Sequence, residues 1–142
     1  MKRERWFVVG TDFSDGAQRA LEQAIGLAEG AGARLALVHA YEDPPGVSPS
    51  PTDPTPGLLR ELADAIVASG AARRGVHVEP IVRRGAPWDK LLNVATEVGA
   101  ELVVVGACGQ RGSGAGLQLG SVASRVVANS TRTVVVARPW LP

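Results

Sequence analysis

Cysteine is almost missing from this 142-residue chain: Cys108 stands alone, so an internal disulfide is excluded and a reducing compartment is allowed. An excess of one charge is missing too. Fifteen Lys and Arg against fourteen Asp and Glu leave a net charge of +1, and no long basic run occurs, so nucleic acid is not suggested as a partner. Long apolar runs are absent: no stretch approaches the length of a membrane span. The run Trp6 to Val9, after Met1-Lys2-Arg3-Glu4-Arg5, is too short for a signal-peptide core and stops at Gly10-Thr11-Asp12. The expectation is a cytoplasmic protein without membrane contact. With 45% apolar and 20% charged residues, residues 1–142 fit one domain large enough to bury a core without cross-links.

What is present is an alternation of two periods. Trp6 to Gly10 reads as a strand. Ala17, Ala20, Leu21, Ala24, Ile25 and Ala28 then form one helical face, capped by Ser14 or Asp12 and ended by Gly30 and Gly32. Arg34 to Ala40 reads as a second buried strand. Asp43 to Gly57 holds six prolines in fifteen residues and is expected to be a loop, more simply a tolerated insertion than a lid. Leu58, Leu59, Leu62, Ala63, Ile66 and Val67 predict a second helix ending near Arg73-Arg74-Gly75. Val76 to Val82 predicts an edge strand. Gly85-Ala86-Pro87 opens a third helix with Trp88, Leu91, Leu92 and Ala95 inward and Gly99 at its end. Leu102 to Val105 and Thr133 to Ala137 are the remaining strands. Between them Val122, Val126 and Val127 recur at helical spacing, with Ser121 at the N-cap position. This predicts an α/β fold of three layers: an open, parallel, five-stranded sheet with helices on both faces. Strand order 3-2-1-4-5 places the ligand crevice between the first and fourth strands, at Gly10 to Asp12 and Gly106 to Gly109.

The glycine-rich stretch from Gly106 to Ser121 is the chemical centre of the sequence. A loop that feeds a helix N-terminus aims backbone N–H groups and a positive dipole end at an anion. Walker A needs a Lys that Leu119-Gly120-Ser121 lacks, and no G-x-G-x-x-G occurs in 106–120. Gly106-Ala107-Cys108-Gly109, followed by Gly120-Ser121, resembles the universal stress protein family. Its ATP-binding members carry Gly, two residues, Gly, nine residues, then Gly-Ser or Gly-Thr. Here residues 110–119 number ten. Gly10-Thr11-Asp12-Phe13-Ser14 resembles the family's first-strand signature, and Leu37-Val38-His39-Ala40 and Gly85-Ala86-Pro87 match its later strand ends.

The resemblance covers Trp6 to Ala137 and implies an adenine-nucleotide-binding regulatory protein of the stress response, acting as a homodimer. ATP or another adenine nucleotide is the implied cofactor, and Mg2+ is an allowed companion of ATP. Gly10, Thr11, Asp12 and Ala40 would meet the adenosine end, Ala40 through its backbone. Gly106, Ala107, Gly109, Gln110, Arg111 and Gly112, with Gly120, Ser121 and Val122, would hold the phosphate end. The implied dimer pairs Thr133 to Ala137 antiparallel with its copy, Trp140 and Leu141 adding apolar surface, and an unidentified regulatory protein is a further partner. No catalytic residue is assigned: His39 has no partner nucleophile or metal cluster in the sequence, and Cys108 has no resolving cysteine. The alternative is a nucleotide-free dimeric interaction module of the same fold. A ligase or adenylyl transferase is disfavoured, because Thr11-Asp12-Phe13-Ser14-Asp15 carries neither Ser-Gly-Gly-x-Asp-Ser nor a histidine pair.

Overall fold

The computed structural model describes residues 3–108 and 119–138. In chain order the elements are β1 (Trp6–Gly10), α1 (Asp15–Ala31), β2 (Arg34–Tyr41), α2 (Thr55–Ser69), a 3-10 turn (Ala71–Arg74), β3 (Val78–Arg84), α3 (Pro87–Val98), β4 (Leu102–Gly106), α4 (Ser121–Asn129) and β5 (Thr133–Ala137). The five strands form one sheet, wholly parallel, in the order β3-β2-β1-β4-β5. Side chains alternate across each strand, and both sheet faces are covered, which is why β1 and β4 read as unbroken apolar runs. Phe7, Val9, Leu35 and Leu37 face one layer with Leu21, Ile25 and Leu62. Val8, Ala36, Val38, Val103 and Val105 face the other with Leu91, Val94 and Val126.

The helix ends follow local chemistry. Ser14 caps α1 by accepting from the Ala17 amide at 3.2 Å, and Gly32 closes it in the left-handed conformation; Gly30 lies inside the helix. Pro87 occupies the first turn of α3, where its missing N–H costs nothing.

Several expectations change. Helix α2 begins at Thr55, with Pro56 and Gly57 inside its first turn, so the proline loop is shorter than 43–57. Its core face is Leu62, Ala65 and Ile66, with Leu58 half-buried, whereas Leu59, Ala63 and Val67 are exposed, Val67 at 81%. The apolar arc is wider than the contact, since α2 packs against the edge pair β2 and β3, α1 and the 3-10 turn. Strand β3 starts at Val78 rather than Val76. Val76 is still buried, from the turn before the strand, so its apolar character does not mark the ladder. Val127 in α4 is 49% exposed, and Ala123 takes its place in the core beside Val126.

The two sheet edges differ. β3 carries Glu79, Pro80, Arg83 and Arg84, with Arg83 paired to Glu97 and Arg84 to Asp43. β5, Thr-Val-Val-Val-Ala, carries no charge and no proline.

Candidate functional site

β1 and β4 are neighbours whose connections leave on opposite sides, so a crevice must open beyond their carboxyl ends. The structure has a cleft there of about 420 Å³. One wall is apolar: Val38, Leu91, Val105, Ala17, Val122 and Ala123. The polar groups are Thr11, Asp12, His39, Cys108 and Ser121, and Asp12 carries the only carboxylate on the described lining.

The base of the cleft is the turn after β1. Thr11 leaves the strand with its amide bound to the Val38 carbonyl at 2.9 Å, which ties the ends of β1 and β2 together. Three side chains then fold back onto the backbone. Thr11 Oγ1 accepts from the Phe13 amide at 3.0 Å, Asp12 Oδ1 from the Ser14 amide at 3.0 Å, and Ser14 Oγ from the Ala17 amide. Phe13 sits at φ 66°, the one positive φ outside glycine among the described residues. For a residue with a Cβ that conformation costs on the order of 1–2 kcal/mol, offset here by these bonds and by the packing of Phe13 on the α1-side core.

Close approach of backbone shapes the opposite wall. A Cβ on Gly16, in the first turn of α1, would lie 3.3 Å from the Cys108 carbonyl oxygen, so α1 and the end of β4 touch through bare backbone. A Cβ on Gly10 would lie 3.0 Å from Leu91 Cδ2, and the missing side chain leaves that space to Leu91.

The third side is the start of α4. Gly120, extended at φ −62° and ψ 167°, is its N-cap, and the Gly120 amide binds the Ala107 carbonyl at 2.7 Å. Ser121 is therefore the first helical residue and not the cap; the side chain that the sequence suggested as an acceptor points from an exposed helical position. An α-helix leaves its first N–H groups without an intrahelical partner, and residues 121 to 123 all line the cleft. The positive end of α4 thus faces the space between β1 and β4.

Of the residues proposed from sequence, Gly10, Thr11, Asp12, Ala40, Gly106, Gly120, Ser121 and Val122 all border this one cleft. Ala107 is buried behind it, its amide on the Ala137 carbonyl at 2.9 Å and its own carbonyl used by Gly120. Gly109, Gln110, Arg111 and Gly112 lie outside the described residues, as do Trp140 and Leu141. His39, Pro87 and Leu91 on the lining, and Gly16 against the Cys108 carbonyl, were not assigned to the site from sequence, whereas Cys108 falls within the Gly106 to Gly109 stretch expected at the crevice. A glycine in a helix's first turn was the available signal for Gly16; Leu91 and Pro87 looked like ordinary helix residues.

Fold and site together define an open, doubly wound α/β protein with a cleft at its topological switch point. The chain matches the model of the universal stress protein family over residues 5–138 and belongs to that family. A universal stress protein of Thermus aquaticus is 36% identical over 130 residues, spanning 89% of this chain and 93% of the relative. One from Mycobacterium tuberculosis is 36% identical over 138 residues, spanning 89% and 90%. Among solved structures, a universal stress protein in complex with cAMP is 35% identical, with a TM-score of 0.70 over 96% of this chain and 98% of that one.

Proposed function

We propose that this protein is an adenine-nucleotide-binding regulator of the stress response that works as a homodimer. The observation that carries the reading is the meeting of two distant segments, Gly10 to Asp12 and Gly106 with Gly120 to Val122, around one cleft at a helix N-terminus. Its volume of about 420 Å³ lies within the range of small-molecule sites. The relative solved with cAMP, alike over nearly the whole chain, supports an adenine nucleotide as the ligand class. In this reading the base and ribose lie toward Asp12 and Ala40, and a phosphate lies against the α4 amides.

The described lining offers a phosphate backbone groups. At the start of α4 the amides of residues 121 to 123 and the helix dipole would hold it. Mg2+ arriving with ATP would take most of its ligands from phosphate and water, with Asp12 the one carboxylate on the described lining. Binding rather than turnover is the proposed role: Asp12 Oδ1 is engaged by the Ser14 amide, and His39 Nδ1 by the Thr11 carbonyl. Calorimetry on nucleotide-stripped protein with ATP, ADP, AMP and cAMP tests the reading. Micromolar binding of at least one, roughly −8 kcal/mol, is expected. No heat and no thermal shift with any of them would favour the nucleotide-free interaction module, whose support is the ten-residue spacing of 110–119.

The dimer is proposed through β5. Its free edge lacks charge and proline, and an unprotected edge pairs readily with a second strand. A two-fold axis would pair equivalent β5 strands antiparallel.

A further inference from the structure

One side chain on the cleft wall does something that its position at the end of β2 does not require. His39 Nδ1 lies 2.9 Å from the Thr11 carbonyl oxygen, and the imidazole rests against Phe13 with ring centroids 4.5 Å apart and planes at 42°. A carbonyl can only accept, so Nδ1 carries the proton. Thr11 and Phe13 are the residues on either side of Asp12, and Phe13 is the residue held at φ 66°. One ring from β2 therefore grips the turn before and after its carboxylate, by a hydrogen bond on one side and a ring contact on the other.

We propose that His39 is a positioning residue for the base end of the cleft, holding Thr11 and Phe13 so that Asp12 is presented to the ligand. The inference deepens the adenine-nucleotide reading and rests on it for the ligand. His39 acts through the turn: its Nδ1–H donates to the Thr11 carbonyl throughout, and no proton transfer is asked of it. The two contacts support each other, because the hydrogen bond sets the ring plane and the ring packs on the residue whose backbone conformation is least favourable alone. Loss of the imidazole frees the Thr11 carbonyl and uncovers Phe13, so the turn can relax toward ordinary φ values and Asp12 moves with it.

The test uses the full chain and three proteins: wild type, His39→Asn and His39→Leu. Asn can place an amide N–H where Nδ1–H stands, and Leu fills space without a donor. Long-range ¹H–¹⁵N spectra of the nucleotide-free wild type are expected to show His39 as the Nδ1–H tautomer; an Nε2–H tautomer would overturn the proposal. The Phe13 amide, bound to Thr11 Oγ1, is expected to exchange faster in His39→Leu and to be slowed again in His39→Asn. Equal exchange in all three would also overturn it. With cAMP as the probe, His39→Leu is expected to bind about tenfold more weakly, the loss of a part-buried hydrogen bond, with His39→Asn restoring most of that loss. A folded His39→Leu protein with wild-type affinity would mean the ring has a packing role alone. Should the wild type bind no adenine nucleotide, the functional reading fails, and the tautomer and the Phe13 amide still decide the case for His39.

Discussion

Ser121 and Asp12 show how a single side chain divides between fold and ligand. Ser121 is exposed and lies past the cap, so Ser121→Ala should leave the melting temperature nearly unchanged, within about 0.5 kcal/mol, while weakening nucleotide binding measured by calorimetry. Asp12→Ala should do both kinds of damage, because it removes the acceptor of the Ser14 amide, worth about 1 kcal/mol, together with a ligand contact. A mutant that loses stability but binds as before would confine Asp12 to the turn. At this scale the sequence was informative wherever the chemistry is carried by neighbours in the chain. Thr11, Asp12 and Ser14 announce a turn that bonds to itself, and Gly120-Ser121 announces a helix start. Which of those two is the cap depends on the backbone path into the helix, and a Gly-Ser pair fits either assignment. His39 and Leu91 reach the cleft from two separate segments, and nothing local marks their side chains for it.

Helix α2 separates apolar composition from apolar contact. Leu62 is fully buried between α2 and the sheet, and Leu62→Ala should cost about 3 kcal/mol by denaturant unfolding. Val67, at the far edge of the same apolar arc, is 81% exposed, and Val67→Lys should change stability by no more than about 0.5 kcal/mol. Equal costs for the two would show that the helix is rotated from its position here. Strands β1 and β5 were legible to the residue, because both are short apolar runs bounded by turn residues. Strand β3 was legible as an edge but not in its limits, since Val76 is buried without being in the ladder. At the opposite end of the sheet, Arg5 forms two hydrogen bonds to the Glu101 carboxylate, joining the starts of β1 and β4. The side-chain bond from Arg5 holds the Glu101 carboxyl below its ordinary value of 4.5. A depressed carboxyl pKa contributes stability that is present above pH 4.5 and lost as pH falls through the lower folded value. Glu101→Gln should therefore flatten the acid side of a melting-temperature profile and leave its shape at neutral pH unchanged. The pair is exposed, so added salt should shrink the difference.

The sheet order was legible for the molecule as a whole because five strands alternating with helices leave few right-handed windings open. Whether the molecule pairs is a separate matter, and Val135→Lys addresses it. Light scattering at micromolar concentration should find the wild type dimeric and this variant monomeric. Val135 also packs against the α1-side core, so a thermal melt of the variant is needed to show that it still folds. A folded variant that remains dimeric with unchanged affinity would place the interface elsewhere. The contrast between the sheet's two edges has one more consequence. In the proposed dimer the two bare β5 edges consume each other, and the joined ten-stranded sheet ends on both sides in β3, where Pro80 and the charged side chains of Glu79, Arg83 and Arg84 discourage any further strand. Growth by edge addition would be self-limiting: the same chain that recruits one copy of itself has no open rail left for a third, and filaments are denied without any separate capping device.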